Sequence, residues 1–253
     1  MSRVFFCLAL LAPCAAGAAE ATNNFGVAAW SHPVYDGDTT QQVMAIPTVS
    51  YYGDVYFART TQGVLEGGAR ADVFSNLALG VQLAYEGGRD STASPFLTSH
   101  KIESIAPNVS AGAHAELNFA IGPMPLWLLL RYRQHADSNY GAQADMRLTA
   151  GVYGGDSLQA GVFVQSTWAD SIAMQSYYGI NAQQAASSGL PAYVAEQGRL
   201  FNSEGVLWSY ALGREWELLG SLEARQLQGN ALSSPLAQVS SNYYASVGIG
   251  FRF

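Results

Sequence analysis

The chain has 253 residues, of which 49% are hydrophobic and only 12% charged, and its formal net charge is −7. Its few basic residues are scattered rather than grouped in a patch, which argues against nucleic acid as a partner. The longest apolar run beyond the N-terminal segment, residues 126–130, is far shorter than the roughly 18 residues that a membrane helix needs. An apolar chain without helical spans is typical of a soluble β-sandwich or of a membrane barrel with alternating faces.

Residues 1–19 have the pattern of a cleaved secretory signal peptide. Arg3 supplies the positive end, an apolar stretch follows, and Ala16-Gly17-Ala18 is a small-residue cleavage site. Both cysteines, Cys7 and Cys14, fall inside this segment, so we expect a mature chain without thiols or disulfides. We therefore predict a signal peptide over residues 1–19 and one β-barrel domain over residues 20–253.

Segments in which apolar and polar residues alternate recur along the mature chain, and this period of two predicts strands. We place about twelve, although ten would fit the same pattern: residues 25–31, 43–51, 54–60, 64–72, 76–85, 107–118, 124–133, 144–153, 157–168, 204–212, 215–226 and 242–253. Tight connections alternate with mostly long ones, the longest being residues 86–106, 169–203 and 227–241. Such alternation is typical of short periplasmic turns and long external loops. The short link at residues 61–63 is an exception on the external side.

Charged residues stand at central positions of the polar strand faces. They are Arg70, Glu116, Arg131, Arg133, Asp145, Arg147, Glu223 and Arg225. Burying unpaired charges in a sandwich core costs several kcal/mol each, whereas a barrel lumen leaves them hydrated or paired. The charges therefore favour a transmembrane antiparallel up-and-down β-barrel. They could line a water path or cross-link into a plug, and their mixed signs favour pairing. Whether the loop 169–203 plugs the barrel stays open.

The last strand ends in an aromatic residue. Tyr243, Phe251 and Phe253 share its apolar face, while Arg252 lies on the other. This end is similar to the assembly signal of outer-membrane barrels, which predicts insertion by the barrel assembly machinery into outer-membrane lipid. Further aromatics near predicted strand ends, among them Trp30, Tyr177 and Tyr178, suit interfacial girdles.

Several stretches resemble the MipA/OmpV family, named for an outer-membrane protein that interacts with the murein-degrading enzyme MltA. The most specific carriers are Glu86-Gly87-Gly88-Arg89-Asp90 and Ser188-Gly189-Leu190-Pro191-Ala192-Tyr193. The resemblance implies a non-enzymatic scaffold that links the outer membrane of a Gram-negative cell to a lytic transglycosylase and a peptidoglycan synthase. It also leaves open a porin-like conduit or a surface adhesin, since other members are studied as such.

Catalysis has one candidate set, in which His114 shares a strand face with Ser110 and Glu116. A serine, a base and a carboxylate would suit a lipid hydrolase. Their spacing along one strand, about 13 and 7 Å at roughly 3.3 Å per residue, is too wide for a hydrogen-bonded triad. No clustered metal ligands and no nucleotide-binding motif appear in the sequence. We therefore predict no enzyme activity and no cofactor.

Overall fold

The structure, a computed structural model, describes residues 23–253, which form one closed antiparallel β-barrel of twelve strands. The predicted signal peptide, with Cys7 and Cys14, lies outside the described residues. The strands are β1 Asn24–Pro33, β2 Gln41–Tyr52, β3 Tyr56–Thr61, β4 Val64–Phe74, β5 Leu77–Glu86, β6 Asn108–Ile121, β7 Met124–His135, β8 Ala142–Gly154, β9 Leu158–Ala169, β10 Gly198–Ala211, β11 Trp216–Leu227 and β12 Ser241–Arg252. Each strand pairs with its neighbours in the chain, so the predicted up-and-down barrel is confirmed.

The barrel closes between its first and last strands, in a register that runs from Asn24↔Arg252 to Ser31↔Ala245. Because the strand number is even, β1 begins and β12 ends at the same rim. That rim also carries the five short connections, residues 53–55, 75–76, 122–123, 155–157 and 212–215. Short turns face the periplasm in outer-membrane barrels, and this end is therefore the periplasmic rim.

The alternating pattern sorts side chains between lipid and lumen. On β12, Tyr243 is 70% exposed and Val247 54% exposed on the outer face, while Asn242 and Tyr244 are buried inside the barrel. The outer face of β5 likewise exposes Val81. The apolar residues therefore face outward and the polar residues inward, as a barrel in lipid requires.

The four α-helices of residues 23–253 lie in the external connections: α1 Pro95–Ser99, α2 Ser171–Tyr178, α3 Ala182–Ser188 and α4 Gly229–Leu232. Within residues 23–253, no helix is long and apolar enough to cross a membrane. The exceptional short external link is also present, because β3 and β4 are joined only by Gln62 and Gly63. Both have positive φ, at 52° and 81°, as tight hairpin turns with the right-handed strand twist require.

The start of β10 was predicted wrongly at residue 204, because the strand begins at Gly198. A register shift between Arg199 and Phe201 interrupts the pairing with β9. A bulge of this kind adds one residue to a strand and breaks its period of two. Leu200 and Phe201 follow one another in the sequence and are both buried. The start of this strand therefore shows no alternation of inward and outward residues.

Five aromatics near predicted strand ends lie outside the girdles. Tyr52 and Tyr244 face the lumen, where they contact Arg59 and Asp36. Trp30 pairs with Ser246 on the lumen face and stacks on His32, with ring centroids 3.9 Å apart. Tyr177 and Tyr178 belong to α2 in an external loop, and Tyr178 is only 4% exposed. The girdle prediction placed Tyr177 and Tyr178 near a strand end, whereas the loop that contains them folds into a packed structure of its own.

Substituting the terminal aromatic should impair barrel assembly. Phe253 is 62% exposed and its ring lies 5.9 Å from that of Phe25, whereas the Arg252 side chain donates to the Gly213 carbonyl oxygen. We expect Phe253→Asp to give a lower yield of heat-modifiable barrel on gels than Arg252→Ala, because the charge would enter the outward aromatic row. Equal yields of the two variants would contradict this assignment.

Candidate functional site

The lumen is cross-braced by an ion-pair network centred on Glu66, whose side chain is fully buried. One of its carboxylate oxygens accepts from Arg59 Nε at 2.5 Å and from Arg131 Nη1 at 2.9 Å. The other accepts from Gln82 Nε2 at 2.9 Å. These partners stand on β3, β7 and β5. A buried carboxylate is tolerated only when it is paired and hydrogen-bonded. Both oxygens of Glu66 accept hydrogen bonds, and one of them is paired with two arginines.

The network extends on both sides of this hub. Glu116 pairs with Arg59 and, at 3.3 Å, with Arg70. Asp145 pairs with Arg131 at 2.9 Å. Arg133 continues the network, since it lies 3.7 Å from Asp145 and 3.1 Å from Glu86. Alternating charges therefore connect β3 through β8 across the lumen, and the central side chains are closed to solvent.

The β3–β4 hairpin leans into the lumen because its ladder with β2 stops early. The β2–β3 register contains only three pairs, from Ser50↔Arg59 to Tyr52↔Phe57. Beyond these pairs, the Pro47 carbonyl oxygen of β2 accepts from Thr60 Oγ1 at 3.0 Å. The hairpin tip thereby reaches the opposite wall.

The tip of the hairpin contacts a second cluster of polar and charged side chains. Gln62 Nε2 donates to Glu223 Oε1 at 2.8 Å, and the same oxygen accepts from Arg225 Nε at 3.0 Å. Arg225 Nη1 also donates to Asp36 at 3.0 Å, and Tyr244 donates to the same carboxylate. Asp36 lies in the external connection between β1 and β2. The second cluster therefore ties the barrel wall to the external loops.

Arg147 belongs to neither cluster. It is 6% exposed, and its guanidinium carbon lies 3.7 Å from the centroid of the Phe163 ring. No Asp or Glu oxygen of the described residues lies within 4.0 Å of its nitrogens. Seven of the eight predicted lumen charges are thus paired in the structure, and Arg147 is not.

Four external connections fold together over the outer mouth of the barrel, and we call this structure the external cap (residues 34–40, 87–107, 170–197 and 228–240). Its apolar residues form two clusters. One surrounds Met174 and Tyr178 of α2 and includes Ala231 of α4. The other includes Leu97 of α1 and Leu236. The loop 170–197 therefore packs across the barrel mouth rather than extending outward.

Hydrogen bonds to backbone atoms fix the cap segments to one another. Tyr35 Oη donates to the Leu236 carbonyl at 2.8 Å, and Tyr178 Oη donates to the Asp36 carbonyl at 3.1 Å. Ser234 Oγ donates to the Tyr178 carbonyl at 2.6 Å. Burial raises the pKa of Tyr35 to about 12 and raises the pKa of Tyr178 well above its usual value. Both phenols are therefore neutral donors at physiological pH.

The first family-like motif lies where β5 enters the cap. Glu86 ends β5, and Gly87 leads to Gly88 at φ 71°, where a Cβ would collide with the Ile105 carbonyl. Arg89 is 5% exposed and donates to the Tyr177 carbonyl at 2.8 Å. Its burial lowers the pKa of the guanidinium. Asp90 caps the following short helical turn. The motif therefore anchors residues 87–107 to the loop that carries α2.

The second motif terminates α3 and returns the chain to the cap. Gly189 adopts φ 74° at the C-cap, a conformation that glycine adopts without strain. Leu190 packs against the second apolar cluster, while Pro191 is exposed. Tyr193 Oη donates to the Asn230 carbonyl at 2.8 Å, which joins the motif to α4. Both motifs therefore stabilise the cap in this structure.

The candidate catalytic set is not assembled. Ser110 Oγ donates to Glu86 Oε1 at 2.9 Å rather than to a histidine. His114 Nε2 lies 3.7 Å from Glu116 Oε1, beyond hydrogen-bond distance. Over the part of the chain that the structure describes, no group of three or more His, Cys, Asp or Glu residues could hold a metal ion.

The periplasmic rim is acidic and partly apolar. Four of its exposed side chains are carboxylates, against the exposed cation Arg214: Asp54, Asp72, Asp156 and Glu215. Exposed apolar side chains lie beside them, including Phe74 at 66% and Ile121 at 63%. This surface suits a basic or amphipathic partner better than an acidic one.

Three residues of the two lumen clusters were missed from sequence. Arg59 and Glu66 lie on the inward faces of predicted strands, and their alternation with Thr60 and Leu65 was a signal that could have identified them. Asp36 gave no such signal, because it lies in a loop and its partner Arg225 is 189 residues away in the sequence.

The fold is similar to that of a solved porin. The NanC porin structure superposes with a TM-score of 0.53 at 8% identity, covering 90% of this chain and 100% of that one. LpxR from Salmonella typhimurium gives 0.47 at 10% identity, covering 91% and 100%. An outer membrane channel from Pseudomonas putida F1 gives 0.48 at 9% identity, covering 93% and 97%. Among curated proteins none matches this chain. The family model described as MltA-interacting protein MipA matches residues 25–253.

Proposed function

This chain belongs to the MipA family of MltA-interacting proteins, and from that premise we propose that it is a non-enzymatic outer-membrane scaffold for peptidoglycan-remodelling enzymes. The barrel lies in the outer membrane. The proposal adds that its periplasmic rim binds a lytic transglycosylase of the MltA type and, through it, a peptidoglycan synthase. The family name supports the first partner, and the resemblance of the sequence supports the second.

The observation that carries the proposal is the braced lumen. A conduit needs a continuous water path, whereas Glu66, Arg131 and Asp145 are each at most 4% exposed and joined to one another. The cap covers the outer mouth as well. Because the lumen and the outer mouth are both closed, the barrel suits a role that depends on its surface rather than on transport. An enzyme of the cell wall would meet that surface at the periplasmic rim.

The rim also limits the strength of such a contact. Its connections contain only two to four residues each, while a standard stable interface buries on the order of 1,600 Å² in total. A partner would therefore bind weakly or transiently unless it also used the mature N-terminus. The excess of carboxylates makes the contact dependent on ionic strength, because exposed charge pairs are screened within about 10 Å at 0.1 M salt.

We predict that neutralising the rim acids reduces partner retention. The test variant combines Asp54→Asn, Asp72→Asn, Asp156→Asn and Glu215→Gln. In native detergent extracts, we expect the tagged wild-type chain to retain a wall-lytic enzyme, and the variant to retain about tenfold less, because electrostatic complementarity is lost. The matched control is Glu103→Gln with Glu196→Gln, two exposed acids of the cap.

Three outcomes would count against the scaffold. Equal retention by the variant and the control would place the contact away from the rim. Reproducible ion conductance of the wild-type chain, without any envelope partner from crosslinked cells, would favour a conduit. Esterase activity of the purified barrel towards lipid substrates would favour a hydrolase.

A further inference from the structure

Arg147 has unused hydrogen-bonding capacity inside the barrel. It is 6% exposed, and one face of its guanidinium is covered by the Phe163 ring. The guanidinium has five N–H donors, yet it makes no hydrogen bond or ion pair with any described residue. Asp145 and Glu223 act on this guanidinium only from a distance, and leaving a buried charge without a direct partner is costly, so its N–H groups are open to an acceptor from outside the described chain.

Two neighbouring side chains share this property. The strand registers pair Arg147 with Gln165 and Gln165 with Ser203, so the three residues stand side by side on the inward faces of β8, β9 and β10. Gln165 and Ser203 are each 5% exposed. Gln165 Oε1 and Ser203 Oγ have no hydrogen-bond partner. Buried polar atoms are nearly always satisfied, and two such atoms in one row with a guanidinium that makes no hydrogen bond therefore indicate a missing ligand or ordered water.

The row can present donors to a ligand, although the Ser203 hydroxyl and the Gln165 amide oxygen can also accept. Gln165 Nε2 now donates to Thr167 Oγ1 at 3.1 Å, but the two ends of an amide are interchangeable when its oxygen accepts from the same hydroxyl. Rotation of this amide would leave its NH₂ group free to donate to a ligand. Ser203 supplies a hydroxyl donor on the other side. A fork-shaped guanidinium at one end of this row, with the neutral donors of Gln165 and then Ser203 beside it, suits the two oxygens of a carboxylate.

We propose that Arg147, Gln165 and Ser203 form a binding site for a carboxylate inside the lumen. The ligand carries one negative charge rather than two, because two acids border the row. Asp145 is two residues from Arg147 on the inward face of β8, and Glu223 lies on the inward face of β11 beside Arg225, which pairs with Ser203. This site goes beyond the proposed scaffold function and does not depend on the wall partner.

The ligand would enter from the periplasm. The cap covers the other mouth, whereas inward-facing Trp127 near the periplasmic rim is 44% exposed. Between this rim and the site, small residues occupy the inward positions Gly151, Gly161 and Gly205. The Phe163 ring packs over Gly205, and the Pro125 and Trp127 side chains pack over Gly151, so a ligand would reach the site past these side chains.

The test uses the full mature chain in detergent and sodium [13C]acetate as the probe. We expect saturable broadening of the acetate signal by the wild-type protein. Arg147→Gln should weaken binding at least about tenfold, since hydrogen bonds to charged groups are the strong ones. Arg147→Lys should give an intermediate affinity, because it restores the charge without the fork. Arg70→Gln, in a lumen arginine outside the site, should bind acetate like the wild type.

Undiminished acetate binding by Arg147→Gln would overturn the proposal. If that variant does not fold into a heat-modifiable barrel, the double variant Gln165→Leu with Ser203→Ala decides, since it keeps the charge. We expect it to bind acetate several-fold more weakly, and an unchanged affinity would overturn the site. Tighter binding of inorganic phosphate than of acetate would contradict the limit of one negative charge.

Discussion

Replacing Glu66 with alanine should lower the free energy of unfolding by about 3–5 kcal/mol, because removing one member of a buried ion pair leaves an uncompensated charge. Here two guanidiniums, those of Arg59 and Arg131, each lose one of two carboxylate partners. Arg131 keeps Asp145 and Arg59 keeps Glu116, so the barrel should still form. The measurement is the urea midpoint of the loss of heat-modifiable migration.

A double-mutant cycle separates the ion pair from general damage to the lumen. Glu66→Gln with Arg131→Gln should cost less than the sum of the two single changes, because residues in one network are not additive. Glu103→Ala, an exposed acid in the cap, serves as the control and should change the midpoint little. Additive effects of Glu66 and Arg131 would show that the network does not brace the barrel.

Replacing Met174 with aspartate should detach the cap without dissolving the barrel. Met174 is 1% exposed in the larger apolar cluster, and an unpaired buried charge there costs several kcal/mol. The barrel wall has its own complete set of strand pairings. We therefore expect the loop 170–197 to be cleaved on intact cells by added protease at least about 100-fold faster, a factor that corresponds to roughly 2.7 kcal/mol at 1.36 kcal/mol per tenfold change.

The matched control is Ile172→Asp on the same helix, where the side chain is 49% exposed and a charge stays hydrated. Its cleavage rate should stay near that of the wild type. We also expect Met174→Asp to remain non-conducting, because the Glu66 network lies below the cap. Equal cleavage of the two variants would contradict the packed cap, and a gain of conductance would show that the cap alone closes the lumen.

The strands were predictable because the lipid and the lumen impose opposite polarity on successive residues. In β12, Tyr243 and Tyr244 are the same residue type, yet one is 70% exposed and the other is 7% exposed. The neighbouring positions settled which face was which. The charges on these strands could likewise be assigned to the lumen, since Arg131 and Asp145 follow the inward period.

The partners of those charges could not be derived in the same way. Which arginine meets Glu66 depends on the shift of register around the closed barrel and on the lean of the β3–β4 hairpin. Gln62 reaches Glu223 across the lumen beyond the point, Ser50↔Arg59, at which the ladder between β2 and β3 ends. The bulge at the start of β10 likewise depends on local geometry, which the alternation of apolar and polar residues does not reveal.

The cap was least accessible to sequence reasoning. Its helices are short, with four to eight residues each, and their apolar residues face several loops at once. Tyr178 contacts a segment more than 140 residues away through Asp36. This core is formed by residues from distant loops, whose ends the barrel brings together. No single loop has a regular spacing of apolar residues that would reveal the core.

The scaffold proposal is tested most directly by photocrosslinking from the periplasmic rim in living cells. A photoreactive residue at Asp156 lies in the turn between β8 and β9, and the same residue at Glu196 lies in the cap. We predict that the Asp156 probe captures a lytic transglycosylase and that the Glu196 probe does not. Capture from neither position, with a barrel that conducts ions in planar bilayers, would contradict the scaffold.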